Sequence, residues 1–193
     1  MLLLSCWVAC KKDLKEQEYV SYINDKNNGL KKVIQIDGWE FEMQYRPYDY
    51  IALLENKNEV SDSVSKDRIA QLKGTAWFSI MFKRIDNQIT PLRYGVSSID
   101  EYNDRLNYYL NHAIADIKLL YGKDTLYPKS YLFENNYNLT PQETMIVGFY
   151  LPDGDSYPQK KMRLSFFDRI FKNGIINAQY PASTLNHIPN LVN

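Results

Sequence analysis

The clearest pattern in the 193-residue chain is a strict alternation of apolar and polar residues after its first Asp-Gly pair. Trp39, Phe41, Met43 and Tyr45 alternate with Glu, Glu, Gln and Arg. A period of two predicts a strand with one buried face and one solvated face. Asp-Gly at 37–38 has the residue types of a two-residue hairpin turn, so residues 33–36 are expected to pair with this strand.

Similar patterns later in the chain predict further strands, which are separated by residues typical of turns. These strands are expected over residues 75–85, 127–133, 143–151, 161–167 and 174–179. A short helical segment over 48–55, after Pro47, is expected to cover an edge of the sheet. Strands joined mostly by hairpins favour an α+β fold that is mainly β, as an antiparallel sheet or a β-sandwich.

One helix is clearly marked in the middle of the chain. Ser98 and Glu101 have the spacing of a capping box, in which side chains satisfy free amides of the first helical turn. Apolar residues then recur at helical spacing, at Ile99, Tyr102, Leu106, Tyr109, Leu110, Ala113, Ile117 and Leu120. Gly122 is placed to end the helix. The pattern predicts one long helix over about 98–121, packed on the sheet.

The polar stretch before the first strand predicts a different role for the start of the chain. Residues 10–29 are rich in charged residues and end in a run of Asn, Asp and Lys before Gly29. This composition is typical of a tether that contains at most one weak helix. The remaining length fits one domain, so we expect residues 10–29 to be a tether and 30–193 a single β-rich domain.

The composition excludes several classes of function. Lys plus Arg and Asp plus Glu both number 23, so nothing indicates an electrostatic surface for nucleic acid. The two cysteines, Cys6 and Cys10, both precede the folded body. The body therefore has no disulfide, no cysteine-based metal site and no thiol nucleophile.

The residues that usually carry chemistry do not form a recognisable pattern. There are two histidines, His112 and His187, and each is expected to be a surface or packed residue. Glu40 and Glu42 share a strand face at a distance of about 7 Å, which suits acid–base work but is equally what a solvated strand face shows. The segment 153–156, Asp-Gly-Asp-Ser, has oxygen ligands like part of a calcium loop, and a hairpin turn explains it as well. We expect no metal, no cofactor and no catalytic residue.

Tyrosine is over-represented, with sixteen residues in the chain. Its ring is apolar and its hydroxyl is polar, which suits both strands and wet interfaces. Tyr45, Tyr48 and Tyr50 surround Pro47 and form a candidate binding surface for a sugar or a protein partner. Core packing and cover of a sheet edge is the alternative for this cluster.

The first ten residues carry the most specific signal. Residues 1–10 contain no charged residue, and Lys11-Lys12-Asp13 follows directly. The apolar run is too short for a membrane-spanning helix, which needs about 20 residues, and it ends in small residues as a targeting segment does. Val8-Ala9-Cys10 resembles the lipobox of bacterial lipoproteins, and the charges after Cys10 resemble the start of mature lipoproteins of the Bacteroidetes type.

This resemblance implies that residues 1–9 are removed as a signal segment and that Cys10 carries a lipid, with palmitate among its acyl groups. It also implies a place in the cell envelope, on the outer membrane, facing the periplasm or the exterior. Cys6, preceded by Leu3-Leu4-Ser5, remains a competing acceptor, although no charged residue follows it directly. The resemblance covers only about the first dozen residues and does not extend to the folded body.

These observations lead to one expected function and two alternatives. We expect a membrane-anchored envelope lipoprotein that acts as a non-catalytic protein-binding or assembly module. A surface glycan-binding lipoprotein is the variant that the tyrosines favour. A glycan hydrolase that uses carboxylates such as Glu40 or Glu143 is the alternative from another class. The expected partners are the membrane, through the lipid anchor, and another envelope protein or a glycan, but no nucleic acid.

Overall fold

A computed structural model describes residues 11–56, 68–86, 88–137, 139–152 and 157–192. The predicted fold class is confirmed, because the chain is α+β and mainly β, with two antiparallel sheets that do not close into a barrel. In chain order the elements are β1 (Asp13–Leu14), α1 (Glu16–Asn24), β2 (Lys31–Ile36), β3 (Trp39–Arg46), α2 (Tyr48–Asn56), α3 (68–72), β4 (Thr75–Arg84), α4 (Ile99–Asn107), β5 (Ile117–Tyr121), β6 (Asp124–Leu126), β7 (Ser130–Glu134), β8 (Gln142–Tyr150), β9 (Met162–Asp168), β10 (Gly174–Tyr180), α5 (Ala182–Asn186) and β11 (Asn190–Leu191).

The larger sheet has five strands in the order β2-β3-β4-β8-β7, and all neighbours are antiparallel. Its first hairpin forms as predicted, because Asp37 and Gly38 both adopt the positive φ that this turn requires, at 47° and 78°. The apolar side chains of β3 are all buried, which confirms the predicted strand. The alternating residues of β3 point to the opposite face, where Gln44 donates a hydrogen bond to the Ile23 carbonyl of α1 at 2.9 Å.

The smaller sheet has four strands in the order β10-β9-β5-β6, again antiparallel. Its inner face packs against the inner face of the larger sheet. The rings of Phe41 and Phe166 are 6.4 Å apart, and those of Phe78 and Tyr180 are 5.4 Å apart. The buried Tyr180 hydroxyl donates a hydrogen bond to the Met43 carbonyl at 2.9 Å, which joins the two sheets directly. The result is a β-sandwich arrangement with an aromatic core.

The predicted long helix begins as expected but ends early. Ser98 caps α4 by accepting a hydrogen bond from the Glu101 amide at 3.1 Å. The helix passes into a π turn over residues 108–112 and a 3₁₀ turn over 113–116. Residues 117–121 then form strand β5 and not a helix, because their burial alternates with a period of two and they pair with β9. The prediction of a helix up to residue 121 is therefore wrong for its last turn and a half.

The predicted tether is wrong for residues 13–29. β1 pairs with β11, and Leu14, Tyr19 and Ile23 are buried in the core. Tyr19 and Ile23 are four residues apart, so they lie on one face of α1, and the polar residues that suggested a tether form its solvated face. The first strand thus starts three residues after Cys10 in the sequence. Within the described part of the chain, no helix has the length and apolarity that spanning a membrane requires.

Candidate functional site

The two carboxylates on β3 that we considered for catalysis are held in ion pairs on a solvated sheet face. Glu40 lies 3.1 Å from Lys83, and Glu42 lies 2.9 Å from Lys31. The hydrogen bond from Gln35, at 2.8 Å, and then the contact with Lys83 lower the pKa of Glu40 below its ordinary value. A carboxylate that is held ionised in this way is poorly suited to be the general acid of glycoside hydrolysis.

The third candidate carboxylate, Glu143, lies inside the sandwich. Its side chain is completely buried on β8, and the residue is paired with Phe82 of β4. Among the described residues, neither carboxyl oxygen has a hydrogen-bond partner. Burial raises the pKa of Glu143 to about 8, so the group is mostly protonated at neutral pH. It faces the core and no cleft, so the predicted hydrolase site does not form around it.

The remaining residue types for catalysis and metal binding are also dispersed. His112 and His187 are both exposed, as expected. In the described ranges, no three side chains of His, Cys, Asp or Glu are arranged to hold a metal ion. The segment 153–156, Cys6 and Cys10 lie outside the described residues.

The predicted surface of Tyr45, Tyr48 and Tyr50 is wrong, because all three side chains are buried. Tyr45 belongs to the core between the sheets. Tyr48 packs on Tyr157 with 4.6 Å between ring centres. The Tyr50 hydroxyl accepts a hydrogen bond from the Asn24 side chain at 3.0 Å and so fixes α2 on α1. The alternative interpretation, core packing and cover of a sheet edge, describes this cluster.

The strongest candidate site is a groove on the outer face of the five-stranded sheet. It lies between α2 and β7, and we call it the α2–β7 groove. Its volume is about 440 Å³, which falls within the range of known ligand sites. It is lined by Arg46, Ile51, Leu54, Glu55, Arg68, Leu72, Trp77, Ser130, Tyr131, Leu132, Glu134 and Ile146.

The register of three strands builds the floor of this groove. Trp77 of β4 is paired with Gly148 of β8, whose missing side chain leaves room for the indole ring. The indole N–H donates a hydrogen bond to the Leu72 carbonyl at 3.3 Å, which holds the ring under α3. Ile146 and Leu132 are paired across β8 and β7 and extend the apolar floor, and Leu132 is 57% exposed.

One wall of the groove is formed by α2 and α3. Arg68 binds both carboxylate oxygens of Glu55, through Nε at 2.7 Å and through its terminal nitrogen at 3.0 Å. This bidentate geometry links the two helices with a defined orientation. α2 is in turn joined to α1 through Tyr50 and Asn24. The wall is therefore preorganised by contacts on both of its sides.

The charges at the rim have both signs. The Arg46 guanidinium lies 5.6 Å from the Tyr50 ring and has no hydrogen-bond or ion-pair partner among the described residues. Glu134, at the other side, lies on β7, three strand positions from β3. At a strand spacing of about 4.8 Å, the two backbones are roughly 14 Å or more apart. An apolar floor with separated charges is suited to binding, and none of the described residues that line the groove is a nucleophile paired with a base.

The sequence interpretation missed this groove, although two signals pointed to it. Trp77 and Ile146 are large apolar residues at the outward positions of strands whose inward positions are also apolar. A glycine inside a strand, here Gly148, is typical of a close approach by another group. Together these signals indicate an outer sheet face that packs against other groups and is not only solvated.

No family model matches the chain, and no curated protein matches it. It is similar to the crystal structure of a novel protein of unknown function from Burkholderia pseudomallei K96243. The two share 10% sequence identity and a TM-score of 0.40 over 90% of each chain, a likeness too low to support any conclusion about function.

Proposed function

We propose that the protein is an envelope lipoprotein, lipidated at Cys10, which binds a segment of another envelope protein in the α2–β7 groove without catalysing a reaction. The observation that carries this proposal is the composition of the groove, an apolar floor bordered by charges of both signs. Protein-binding surfaces commonly combine an apolar centre with a polar rim. Separated positive and negative groups also give such a surface a preferred orientation for its partner.

The size of the groove favours a segment over a folded domain. A volume of about 440 Å³ holds a few side chains, in the way that grooves bind an amphipathic helix or an extended peptide. Leu132 and Ile146 offer an apolar surface to such side chains, and Arg46 and Glu134 offer opposite charges at the ends. A glycan is disfavoured, because the tyrosine cluster that suggested one is buried.

The sequence at the start of the chain supports a partner at the same membrane. Two residues, Lys11 and Lys12, separate Cys10 from Asp13, where β1 begins. The three Cα–Cα steps from Cys10 to Asp13 span at most about 11 Å, so a lipid on Cys10 would hold the folded body against the bilayer surface. A partner reached by the groove would then be another protein of that membrane or of the space beside it.

Site-specific photocrosslinking in the native envelope tests this proposal. A photoreactive side chain at Leu132 stands in the groove, whereas one at Val33 stands on the same sheet face outside it, with 46% of the valine exposed. We expect a crosslink to one defined protein from position 132 and none from position 33. Arg46→Glu should weaken the crosslink from position 132, because it reverses a rim charge.

Two results would contradict the proposal. One is an equal yield of crosslinks from positions 132 and 33, which would indicate random contact. The other is a chain that crosslinks to no protein but gives a heat of binding in calorimetry against envelope or dietary polysaccharides. The second result would assign the groove to glycan binding.

A further inference from the structure

The outward face of the four-stranded sheet is open to solvent. The register of its strands β5, β9 and β10 assigns eight side chains to this face, of which six are exposed. We call this the basic sheet face, and it consists of Lys118, Leu120, Arg163, Ser165, Phe167, Ile175, Asn177 and Gln179. It differs from the outward face of the five-stranded sheet, on which α1 and α2 pack.

The charge of this face is positive, although the chain as a whole is neutral. Lys118 and Arg163 are its two charged residues, and no carboxylate occupies any of the eight positions. Two carboxylates of the described residues lie nearby. Asp116 is paired with Arg169 at 2.6 Å and its side chain is almost buried, and Asp124 lies on the edge strand β6. The face is therefore complementary to an anionic surface.

One end of the face is apolar. Phe167 and Ile175 are paired across β9 and β10, with exposed fractions of 40% and 59%. A shallow cavity of about 310 Å³ adjoins them, and its lining includes the exposed Tyr127. The Arg169 guanidinium lies 5.1 Å from the Phe167 ring centre. Apolar and aromatic side chains with a cation beside them are typical of residues that enter the headgroup region of a bilayer.

The other end of the face holds a cavity with cationic and amide groups at its mouth. Its volume is about 420 Å³, and Arg163, Lys161 and Gln179 line it together with Leu120 and Pro181. The side chains of Arg163, Lys161 and Gln179 have no ion pair with any described residue, and no described group accepts a hydrogen bond from them. These donors are available to an oxyanion such as the phosphate of a lipid headgroup.

We propose that the basic sheet face binds the anionic headgroups of a phospholipid membrane. Arg163 and Lys161 would contact phosphate at the cavity, while Phe167 and Ile175 enter the interface at the other end. The chain also brings this face close to the anchor, because β10 leads through α5 to β11, which pairs with β1. The proposal requires neither the lipid on Cys10 nor the α2–β7 groove.

Vesicle binding of the non-acylated full chain tests the proposal. The protein carries Cys6→Ser and Cys10→Ser, so that no lipid can be attached, and is sedimented with vesicles of phosphatidylcholine alone or mixed equally with phosphatidylglycerol. We expect tighter binding to the mixed vesicles than to phosphatidylcholine alone, and the added affinity should fall as salt is added. Any binding by the apolar N-terminal segment is common to both kinds of vesicle, so the difference in affinity between them isolates the anionic headgroup.

Charge reversal then locates the contact. Arg163→Glu removes a cation and adds an anion, and each change near an anionic leaflet alters affinity roughly fivefold, so binding should weaken about 25-fold. Lys129→Glu makes the same change at an exposed position just before β7 and should leave binding unchanged. Ile175→Asn should weaken binding while the dependence on salt stays the same. Circular dichroism would verify that each exposed variant remains folded.

Four results would overturn the inference. The first three are equal binding to both kinds of vesicle, no binding to either, and a parent-like affinity of the Arg163→Glu variant. Displacement from vesicles by free glycerol phosphate at low concentration would instead indicate a site for a small soluble anion, and would also overturn it. If the chain with both cysteines replaced failed to bind vesicles while the native chain was acylated and crosslinked in the groove, the proposed function would remain intact.

Discussion

Trp77 and Gly148 face each other across β4 and β8, and the indole ring occupies the space that a side chain at position 148 would fill. A Cβ placed on Gly148 would lie 2.8 Å from Cζ3 and 3.0 Å from Cε3 of the indole. This approach accounts for a glycine inside a nine-residue strand, where glycine is otherwise unfavourable. Because Trp77 is part of the floor of the α2–β7 groove, the pair also determines the shape of the candidate site.

Gly148→Ala should displace the indole ring and destabilise the protein by about 1–3 kcal/mol, as overpacking of a close contact does. Urea denaturation measures this change in the free energy of unfolding. A Trp77→Leu background removes the contact with the indole and leaves the one with Thr75 Cγ2 at 3.0 Å, so the same alanine should have a smaller effect there. An equal effect in both backgrounds would show that the indole is not the cause.

Glu143 should make the stability of the protein depend on pH. Burial raises its pKa from 4.5 to about 8, so the folded state holds a proton that the unfolded state releases between these values. The free energy of unfolding should therefore fall as pH rises from 4.5 to 8, by at most roughly 4–5 kcal/mol from this group.

Glu143→Gln keeps the size of the side chain and removes the titration. The variant should lose this part of the pH dependence, so the difference in unfolding free energy between variant and parent should change steadily between pH 4.5 and 8. Glu134→Gln, at an exposed position on β7, tests whether the loss of a carboxylate alone alters the profile. A constant difference between the Glu143→Gln variant and the parent would refute the assignment.

The hydrogen bond between Tyr180 and Met43 should contribute to the packing of the two sheets. Tyr180→Phe removes the donor from a completely buried site and is expected to reduce the free energy of unfolding by about 1–3 kcal/mol. Tyr150→Phe makes the same chemical change at a ring that is exposed on β8 and should have little effect. Thermal or urea unfolding of the two variants, side by side, measures the contrast.

Binding in the α2–β7 groove should be sensitive to its apolar floor. Leu132→Asp introduces a charge there and is expected to lower the affinity for the partner by about tenfold or more, as loss of a central contact does. Val33→Asp makes a similar change outside the groove and is the matched control. Neither substitution should alter the unfolding transition greatly, because both side chains are substantially exposed. If both variants retain the partner equally, the groove is not the binding surface.

The sheets were predictable because β strands with one buried face leave a period of two in the sequence, as Trp39 to Tyr45 show. The end of the long helix was not predictable in the same way. Ile117 and Leu120 fit helical spacing after Ala113, while Ile117, Leu119 and Tyr121 fit a strand. Pairing with β9, which lies far along the chain, decides between the two patterns.

Predicting the candidate site from the sequence is harder still, because the site depends on contacts between residues that are far apart in the chain. The packing of α1 was missed because only two of its side chains, Tyr19 and Ile23, are fully buried, within a largely polar stretch. Tyr48 and Tyr50 were expected at the surface because nothing local indicates that α1 and residue 157 pack over them. The groove requires β4, β7 and β8 to be adjacent, and sequence periodicity does not specify strand order.

Lipidation at Cys10 is measured by the mass of the N-terminal peptide of the protein purified from its native membrane. We expect a peptide that begins at Cys10 and carries a diacylglyceryl group on the sulfur, with residues 1–9 removed. A peptide that begins at an unmodified Met1, or a lipid on Cys6 with Cys10 free, would show that Cys10 is not the anchor.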